Sequence, residues 1–464
     1  MSFKDKFENS YKRILPSPFT IAILLTMLTF LLALIFTKPT HVGYGSYCID
    51  LLGKWENALW DDSKSGLYSS FQMMMMLLLG HVIALSKPVS KLIDYLTRPC
   101  TTTANTAFVV TLATIVVSLF NWGLGLIFGA ILARKVGEKF SAANKPLNYA
   151  LIGAAAYSGL MVWHGGLSGS APLKAAEDGN LKNLVANVEG VDLSKIPDSI
   201  PMSEMTFSGM NIFVTCTIII LLPALMYFLG KRKFTAQKLP VVLVEANEHK
   251  EKPMGIERLD AGKIFSFSIG TIILFYAFYK AVILPETLSL SFLSPNFINF
   301  SLLGLCLIFH SSVNQFLTAS DDAIKGTTGI LLQFPLYFGI MGLMIGSGLI
   351  NVMANYFVEI STPETYPIFT YFSAALVNVF VPSGGGQWAV QGPILIATAQ
   401  ELNLSYGKTI MALAYGDQLT NMIQPFWALP LLGITCLKAK EIIPYTLILM
   451  AVGFCIFLLA IFVF

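Results

Sequence analysis

Apolar residues run in long blocks along this chain, and the positions that punctuate them are mostly glycine, proline, serine and asparagine rather than charges. Uncharged stretches span residues 14–37, 65–86, 99–133, 205–230, 326–358, 365–400, 418–437 and 442–464. A helix needs about 20 consecutive apolar residues to cross a hydrocarbon core, and most of these stretches reach that length. Several have room for two crossings, or for a crossing plus a re-entrant piece. A β-barrel would instead show short alternating segments separated by turns. The pattern predicts an all-α polytopic membrane protein with about ten to twelve transmembrane helices.

Composition agrees. Of 464 residues, 55% are hydrophobic and 12% charged, against about 25% charged in a soluble domain. Mean hydropathy is +0.67. The net charge of +3 is small, and no nucleic-acid partner is expected from it. Its distribution says more, because lysine and arginine collect in cytoplasmic loops. By that rule Lys4, Lys6, Lys12 and Arg13, then Lys87, Lys91 and Arg98, then Arg134, Lys135, Lys139 and Lys145, then Lys231, Arg232 and Lys233 lie inside. Residues 38–64, with Asp50, Glu56, Asp61, Asp62, Trp55 and Trp60, then lie outside or in the interface, as does the acidic stretch 177–204. The first apolar run follows basic residues as a signal sequence does, but it lacks a small-residue cleavage site, so a retained first helix is expected. Six cysteines are scattered without metal-binding spacing, and at least five of them read as buried small hydrophobes.

Where the apolar runs break is more informative. The run 99–133 must leave one side and return to it, and Asn121-Trp122-Gly123 is the expected break. The loop 231–263 divides the chain into an N-terminal repeat, 1–230, and a C-terminal repeat, 264–464. The first carries His164-Gly165-Gly166-Leu167-Ser168-Gly169-Ser170-Ala171-Pro172, and the second Ser383-Gly384-Gly385-Gly386-Gln387-Trp388-Ala389-Val390-Gln391-Gly392-Pro393. Gly165 to Pro172 and Gly386 to Pro393 are both seven residues apart. Gly/Pro-interrupted apolar segments at matching places in two halves point to a secondary transporter's binding site.

Proline and three glycines within 382–386 make a continuous helix improbable. Backbone freed in this way must line a cavity or meet protein partners, and the N–H groups of a helix start favour an anion. The substrate-binding candidates are therefore Asn378, Ser383, Gly384, Gly385, Gly386, Gln387, Trp388 and Gln391, with His164, Gly165, Gly166 and Ser168 from the first half. The alternative is that these glycines only permit close helix packing. An ionisable residue inside a membrane is a functional candidate, so Asp417, with Asn421, His164 and Asn314, forms the candidate cation-coupling set. Asp417 would bind a coupling cation, carry a proton, or cap a helix. The string His310 to Gln315 also suits a helix end, and Asn105 is a weaker candidate of the same kind. No Walker lysine motif, GxSxG elbow or HExxH is present. No enzyme, catalytic residue or tightly bound cofactor is expected, only transported H⁺ or Na⁺.

The run Phe380 to Pro393, together with Trp163 to Pro172, Tyr415-Gly416-Asp417-Gln418 and the start Pro16-Ser17-Pro18-Phe19, closely resembles the short-chain fatty acid transporter family. The resemblance extends over essentially the whole chain. It implies uptake of a short monocarboxylate, acetoacetate or butyrate, with a coupling cation across the bacterial inner membrane, in contact with membrane lipid. The family also resembles the wider ion-transporter superfamily, which implies two-fold repeats with helical hairpins, a homodimer, and elevator-like motion by analogy. A carrier of another small organic anion, such as a dicarboxylate, and a passive anion channel are the competing expectations.

Overall fold

Each long apolar run becomes one helix or a pair of helices split at a polar break. The computed structural model describes residues 17–60, 66–186, 188, 191–234, 260–284 and 295–464. The basic N-terminal cluster, Asp61, Asp62 and most of the 231–263 loop lie outside these residues. In chain order the first helices are α1 (Pro18–Phe36), α2 (Tyr44–Trp60), α3 (Gly66–Leu85) and α4 (Lys87–Leu96). Next come α5 (Thr103–Phe120), α6 (Trp122–Ala142), α7 (Tyr149–Tyr157), α8 (Ser170–Ala175), α9 (Asn180–Val185) and α10 (Gly209–Gly230). They are followed by α11 (Lys263–Phe278), α12 (Pro295–Phe309), α13 (Val313–Ala323), α14 (Thr328–Gly346) and α15 (Leu349–Glu359). The chain closes with α16 (Tyr366–Phe380), α17 (Gly384–Glu401), α18 (Tyr406–Thr420), α19 (Pro425–Thr435) and α20 (Ala439–Val463). No strand occurs among the described residues.

Five described helices, α1, α5, α10, α11 with its one-turn extension, and α20, are long and apolar enough to cross a bilayer alone. Two bent pairs add to them: α3 with α4, bent by 71°, and α14 with α15, bent by 61°. The latter turns at Gly348, whose φ of 77° suits a residue without Cβ. Shorter apolar helices, among them α12, α16 and α19, fill the rest. The ten to twelve expected crossings are thus not all single long helices, because the polar breaks divide several runs.

The helices sort into two packed bundles. In the first, α14 packs against α1, α2 and α3, while α3 meets α12 and α13 and α11 lies on α12. Gly339, Gly342 and Gly346 let α14 approach Trp55, Ala58 and Lys54 of α2, the small-residue packing common between membrane helices. The segment with the two outer tryptophans is thus a helix seated on protein. In the second bundle α5, α6, α7 and α10 pack with one another, and α16, α17, α18 and α20 do likewise. Contacts of α20 with α7 and α10 join the two sets. Each bundle takes helices from both sides of the 231–263 loop, so the bundles cut across the sequence halves.

Chain order in the second bundle runs twice through one series: helix, break, helix, helix, break, shorter helix, and a final long helix. The first pass is α5, α6, α7, α8 and α10, and the second is α16, α17, α18, α19 and α20. By this order the break at Asn121 corresponds to 381–383, and the break at 162–169 to 421–424. The two Gly–Pro strings paired in the sequence therefore stand at different steps of the series. A shared seven-residue spacing is too short a pattern to set the register.

The two hairpins enter from opposite ends. Lys139 Nζ donates to the Thr97 carbonyl at 2.6 Å, and Asn148 N–H to Thr103 Oγ1 at 3.3 Å. Gly230 lies against Ala104. The basic segments 87–98, 134–145 and 231–233 therefore share one end of the molecule. The acidic stretch gathers at the other, where Gln400 Nε2 donates to the Asp192 carbonyl at 2.7 Å and Gly407 lies on Glu204. The tips of α5–α6 and α16–α17 point inward from these two ends, toward the breaks of α7–α8 and α18–α19.

Candidate functional site

Each break is built by residues that end one helix and start another. Asn121 Oδ1 caps α6 by accepting from Leu124 N–H at 3.0 Å, and Ser383 Oγ caps α17 through Gly386 N–H at 3.2 Å. Such caps stabilise a helix start by about 1 kcal/mol. Gln424 serves the opposite polarity: its Nε2 donates to the carbonyls of Asn378 at 2.6 Å and Val379 at 2.9 Å, which end α16. Tyr157 Oη in turn donates to the carbonyls of Asn421 and Gln424, at 2.8 and 3.1 Å. One half of the second bundle thus satisfies backbone groups opened by the other, as buried backbone requires.

At the crossing of the two broken helices stand His164 and Asp417, 0% and 1% exposed. His164 Nδ1 bonds Asp417 Oδ2. The other ring nitrogen, Nε2, accepts the Ala171 N–H at 3.1 Å. An imidazole that accepts at Nε2 carries its proton on Nδ1, so these partners assign Nδ1 as donor to the carboxylate. His164 is therefore engaged on both sides. Its backbone N–H and that of Gly165 reach Gln418 Oε1 at 3.1 and 3.4 Å, so neighbouring residues of α18 hold both the ring and the bare chain of the 162–169 break. Gly165 is tied on its other side by Asn211 Nδ2, which donates to its carbonyl at 2.9 Å, and Tyr415 Oη donates to Asn211 Oδ1 at 3.1 Å.

Oxygen atoms crowd the region beside the pair. Asn378 Nδ2 lies 2.7 Å from the Asp417 carbonyl, 2.9 Å from Thr420 Oγ1 and 2.8 Å from Asn421 Oδ1. Three acceptors thus surround a group with two hydrogens. Asp417 Oδ1, Asn378 Oδ1 and Gln387 Oε1 are buried and have no donor among the described residues. Asn421 joins the cluster expected from sequence, and Asn378 sits with the cation candidates rather than at the hairpin tip.

The tip of α16–α17 lies over the pair. A Cβ on Gly384 would fall 2.7 Å from Trp163 Cη2, 2.9 Å from His164 Cε1 and 3.2 Å from Asp417 Oδ2. Only glycine leaves that contact free. A Cβ on Gly385 would stand 4.0 Å from Ser170 at the start of α8, and Gly386 faces Met341. Gln387 and Gln391 turn into the hairpin: Gln387 Nε2 donates to the Ala374 carbonyl at 2.9 Å and to Gln391 Oε1 at 2.7 Å, and Gln391 Nε2 to Ser373 Oγ at 3.0 Å. Their amide donors hold α17 to α16. Trp388 is buried on α17 beside Gly392, where Leu184 of α9 also packs. In the first half, Ser168 Oγ accepts the Trp122 N–H at 3.1 Å, and Gly166 lies against the Leu119 carbonyl.

Several central residues were not among the sequence candidates. Trp163 stacks on His164 with centroids 4.4 Å apart and meets Trp122 edge-to-face at 6.2 Å. Trp122 meets Trp427 in the same way at 5.0 Å. Trp163 thus touches the hairpin tip, the His164–Asp417 pair and the residue that follows the Asn121 break. The signal available was position, since each of these tryptophans stands within three residues of a break. Asn314 is not brought to the cluster. It is exposed in the first turn of α13, which Ser312 caps through Gln315 N–H at 3.2 Å. His310 donates from Nε2 to the Val82 carbonyl at 2.7 Å, and Asn105 belongs to the capped start of α5. Among the described residues no group of three or more His, Cys, Asp or Glu could hold a metal ion.

Broken helices that meet around buried polar groups inside a multi-pass bundle define a membrane transporter. The sequence profile of the short chain fatty acid transporter family matches residues 4–464, and the chain belongs to this family. It is 34% identical over 443 residues to a protein of Escherichia coli K12 named for short-chain fatty acid transport, covering 93% of this chain and 92% of that one. A Haemophilus influenzae protein named in the same way is 33% identical over 452 residues, 96% of this chain and 94% of its own. The crystal structure of the Alcanivorax borkumensis YdaH transporter aligns with 96% of this chain and 98% of that one at 16% identity, with a TM-score of 0.41. The chain is a multi-pass protein of the bacterial inner membrane.

Proposed function

We propose that this chain is a secondary carrier that brings short monocarboxylates such as butyrate and acetoacetate inward together with a coupling cation. The observation that carries this reading is the buried Asp417, held on Oδ2 by His164 and open on Oδ1, at the crossing of two broken helices. The Asp417 backbone carbonyl, Thr420 Oγ1 and Asn421 Oδ1, which gather at the Asn378 side-chain amide, form a nest for a hard cation, of the kind that unwound helix segments supply in secondary transporters. Because these ligands are all oxygen, Na⁺ suits the nest, with the Asn378 amide turning its oxygen toward the ion. The carboxylate head of the substrate belongs at the tip of α17. There the Gly386 and Gln387 N–H groups bond Ser383, and Gly384 and Gly385 supply the other N–H groups of the first turn. No lysine or arginine contacts the His164–Asp417 pair among the described residues, so helix N–H groups and the cation do the neutralising.

The cation also answers an electrical problem. Each charge moved across the membrane costs about 2.3 kcal/mol per 100 mV. One cation cancels this cost for a monocarboxylate entering an inside-negative cell. The His164–Asp417 pair is sealed from solvent in this arrangement, whereas Gly385 at the tip is exposed, so opening the pair to either side requires the hairpins or bundles to move.

Purified protein in liposomes tests the reading, with labelled butyrate and acetoacetate uptake followed under imposed Na⁺ or proton gradients. Saturable uptake driven by a Na⁺ gradient is expected. Uptake of neither acid under any gradient overturns the substrate assignment. A preference for succinate supports a dicarboxylate carrier instead, and flux without saturation or gradient dependence supports a channel.

A further inference from the structure

We propose that His81 and Arg134 form a latch that closes the seam between the two bundles at the cytoplasmic end, and that this seam is the carrier's inward gate. This rests on the carrier function proposed above and names the contact that must part toward the inside. The seam is where α3 of the first bundle lies on α6 of the second. Near its inner end a Cβ on Gly123 would stand 2.8 Å from Met76 Sδ, and further along Gly80 lies directly against Ile127. Small residues set helices this close in a membrane. Gly123 follows Trp122, whose ring meets Trp163 and Trp427, so the seam runs from the breaks out to the basic segment 134–145.

The latch stands beyond Ile127 on that line. Arg134 Nη1 lies 3.1 Å from His81 Nε2. A guanidinium has no acceptor, so the imidazole accepts, is neutral, and carries its proton on Nδ1. The other bonds of Arg134 stay within its own bundle: Nε donates to Glu138 Oε1 at 3.0 Å, and Nη1 to the Ile434 carbonyl near the end of α19 at 3.3 Å. Lys135 Nζ donates to Glu138 Oε2 at 3.0 Å. Parting the bundles therefore breaks the bond to His81 and leaves the guanidinium and Glu138 paired. On the other side, His81 Nδ1 is buried without an acceptor among the described residues, a cost that exposure to water would lift. A charge-assisted bond set against an unpaired donor makes a closure that holds, yet opens in each cycle.

Thiol reactivity tests this in the purified protein. Ile127→Cys is introduced into a chain whose six native cysteines are replaced by serine, and its reaction with a water-soluble maleimide is timed. His81→Leu and Arg134→Met are each expected to speed the reaction by about tenfold, the population shift that loss of one charge-assisted bond allows. His81→Gln, whose side-chain oxygen can still accept from Arg134, is expected to react like the parent. A second chain keeps only Cys306, which is buried inside the first bundle with its Sγ 3.3 Å from the Leu79 carbonyl, and should stay unreactive in every variant. Unchanged reactivity at Ile127→Cys in both His81→Leu and Arg134→Met overturns the latch. Equal acceleration by His81→Gln, or a matching rise at Cys306, overturns it too. Labelling needs no transported solute, so these results are separate from the uptake measurement that tests the carrier function.

Discussion

His164 donates its Nδ1 proton to Asp417, a residue 253 positions further along the chain, while its Nε2 accepts the Ala171 N–H. These two bonds join the break of one broken helix to the other and leave Oδ1 as the open position of the carboxylate. A second proton on the imidazole would displace the Ala171 N–H at the start of α8. In the proposed carrier the cation role therefore goes to Asp417, with His164 positioning it.

Asp417→Asn keeps the shape of the carboxylate and removes its charge. Na⁺-driven uptake is expected to fall by at least about tenfold, since a hydrogen bond to a charged group contributes about 1.5–3 kcal/mol. His164→Asn, which places a donor near the Nδ1 position, is expected to retain more uptake than His164→Leu. Initial rates over a Na⁺ series check both, and an unchanged Na⁺ dependence in Asp417→Asn would count against the cation site.

Gly384→Ala is expected to lower both uptake and thermal stability. Its Cβ would meet Trp163, His164 and Asp417 at 2.7, 2.9 and 3.2 Å, all of them packed groups without room to yield. Overpacking of this kind costs about 1–3 kcal/mol. Gly385→Ala meets Ser170 at an ordinary 4.0 Å and should melt with the parent protein. Thermal unfolding in detergent compares the two, and equal melting temperatures would refute the steric account.

Gln424→Leu strips two bonds from the carbonyls that end α16 and leaves them buried. Each unsatisfied acceptor costs about 1–3 kcal/mol, so the melting temperature should fall clearly. Tyr157→Phe removes one hydroxyl that bridges the Asn421 and Gln424 carbonyls. It should be milder, at about 1 kcal/mol. The opposite order of severity would show that Gln424 does not hold this break together.

Much of the architecture is visible in the residues alone. Uninterrupted apolar runs declare the membrane, because no charged surface remains for water to solvate. Pro382 with Gly384, Gly385 and Gly386 declares a helix break, as does Asn121 before Trp122-Gly123, because propensity and capping act within a few residues. Asp417 declares itself by its charge in apolar surroundings.

Partnership is what the residues alone do not carry. That His164 meets Asp417, that Gln387 and Gln391 turn into their own hairpin, that Trp163 is the meeting point of the breaks, and that Asn314 stands exposed on α13 all follow from packing between distant segments. The pairing of the breaks is of the same kind, since Asn121 corresponds to Ser383 through helix order and not through a matching string. Helix formation is decided by local hydrogen bonds, and local sequence records it. Which buried donor meets which acceptor is decided by how two bundles close on each other, and only the tertiary structure shows that.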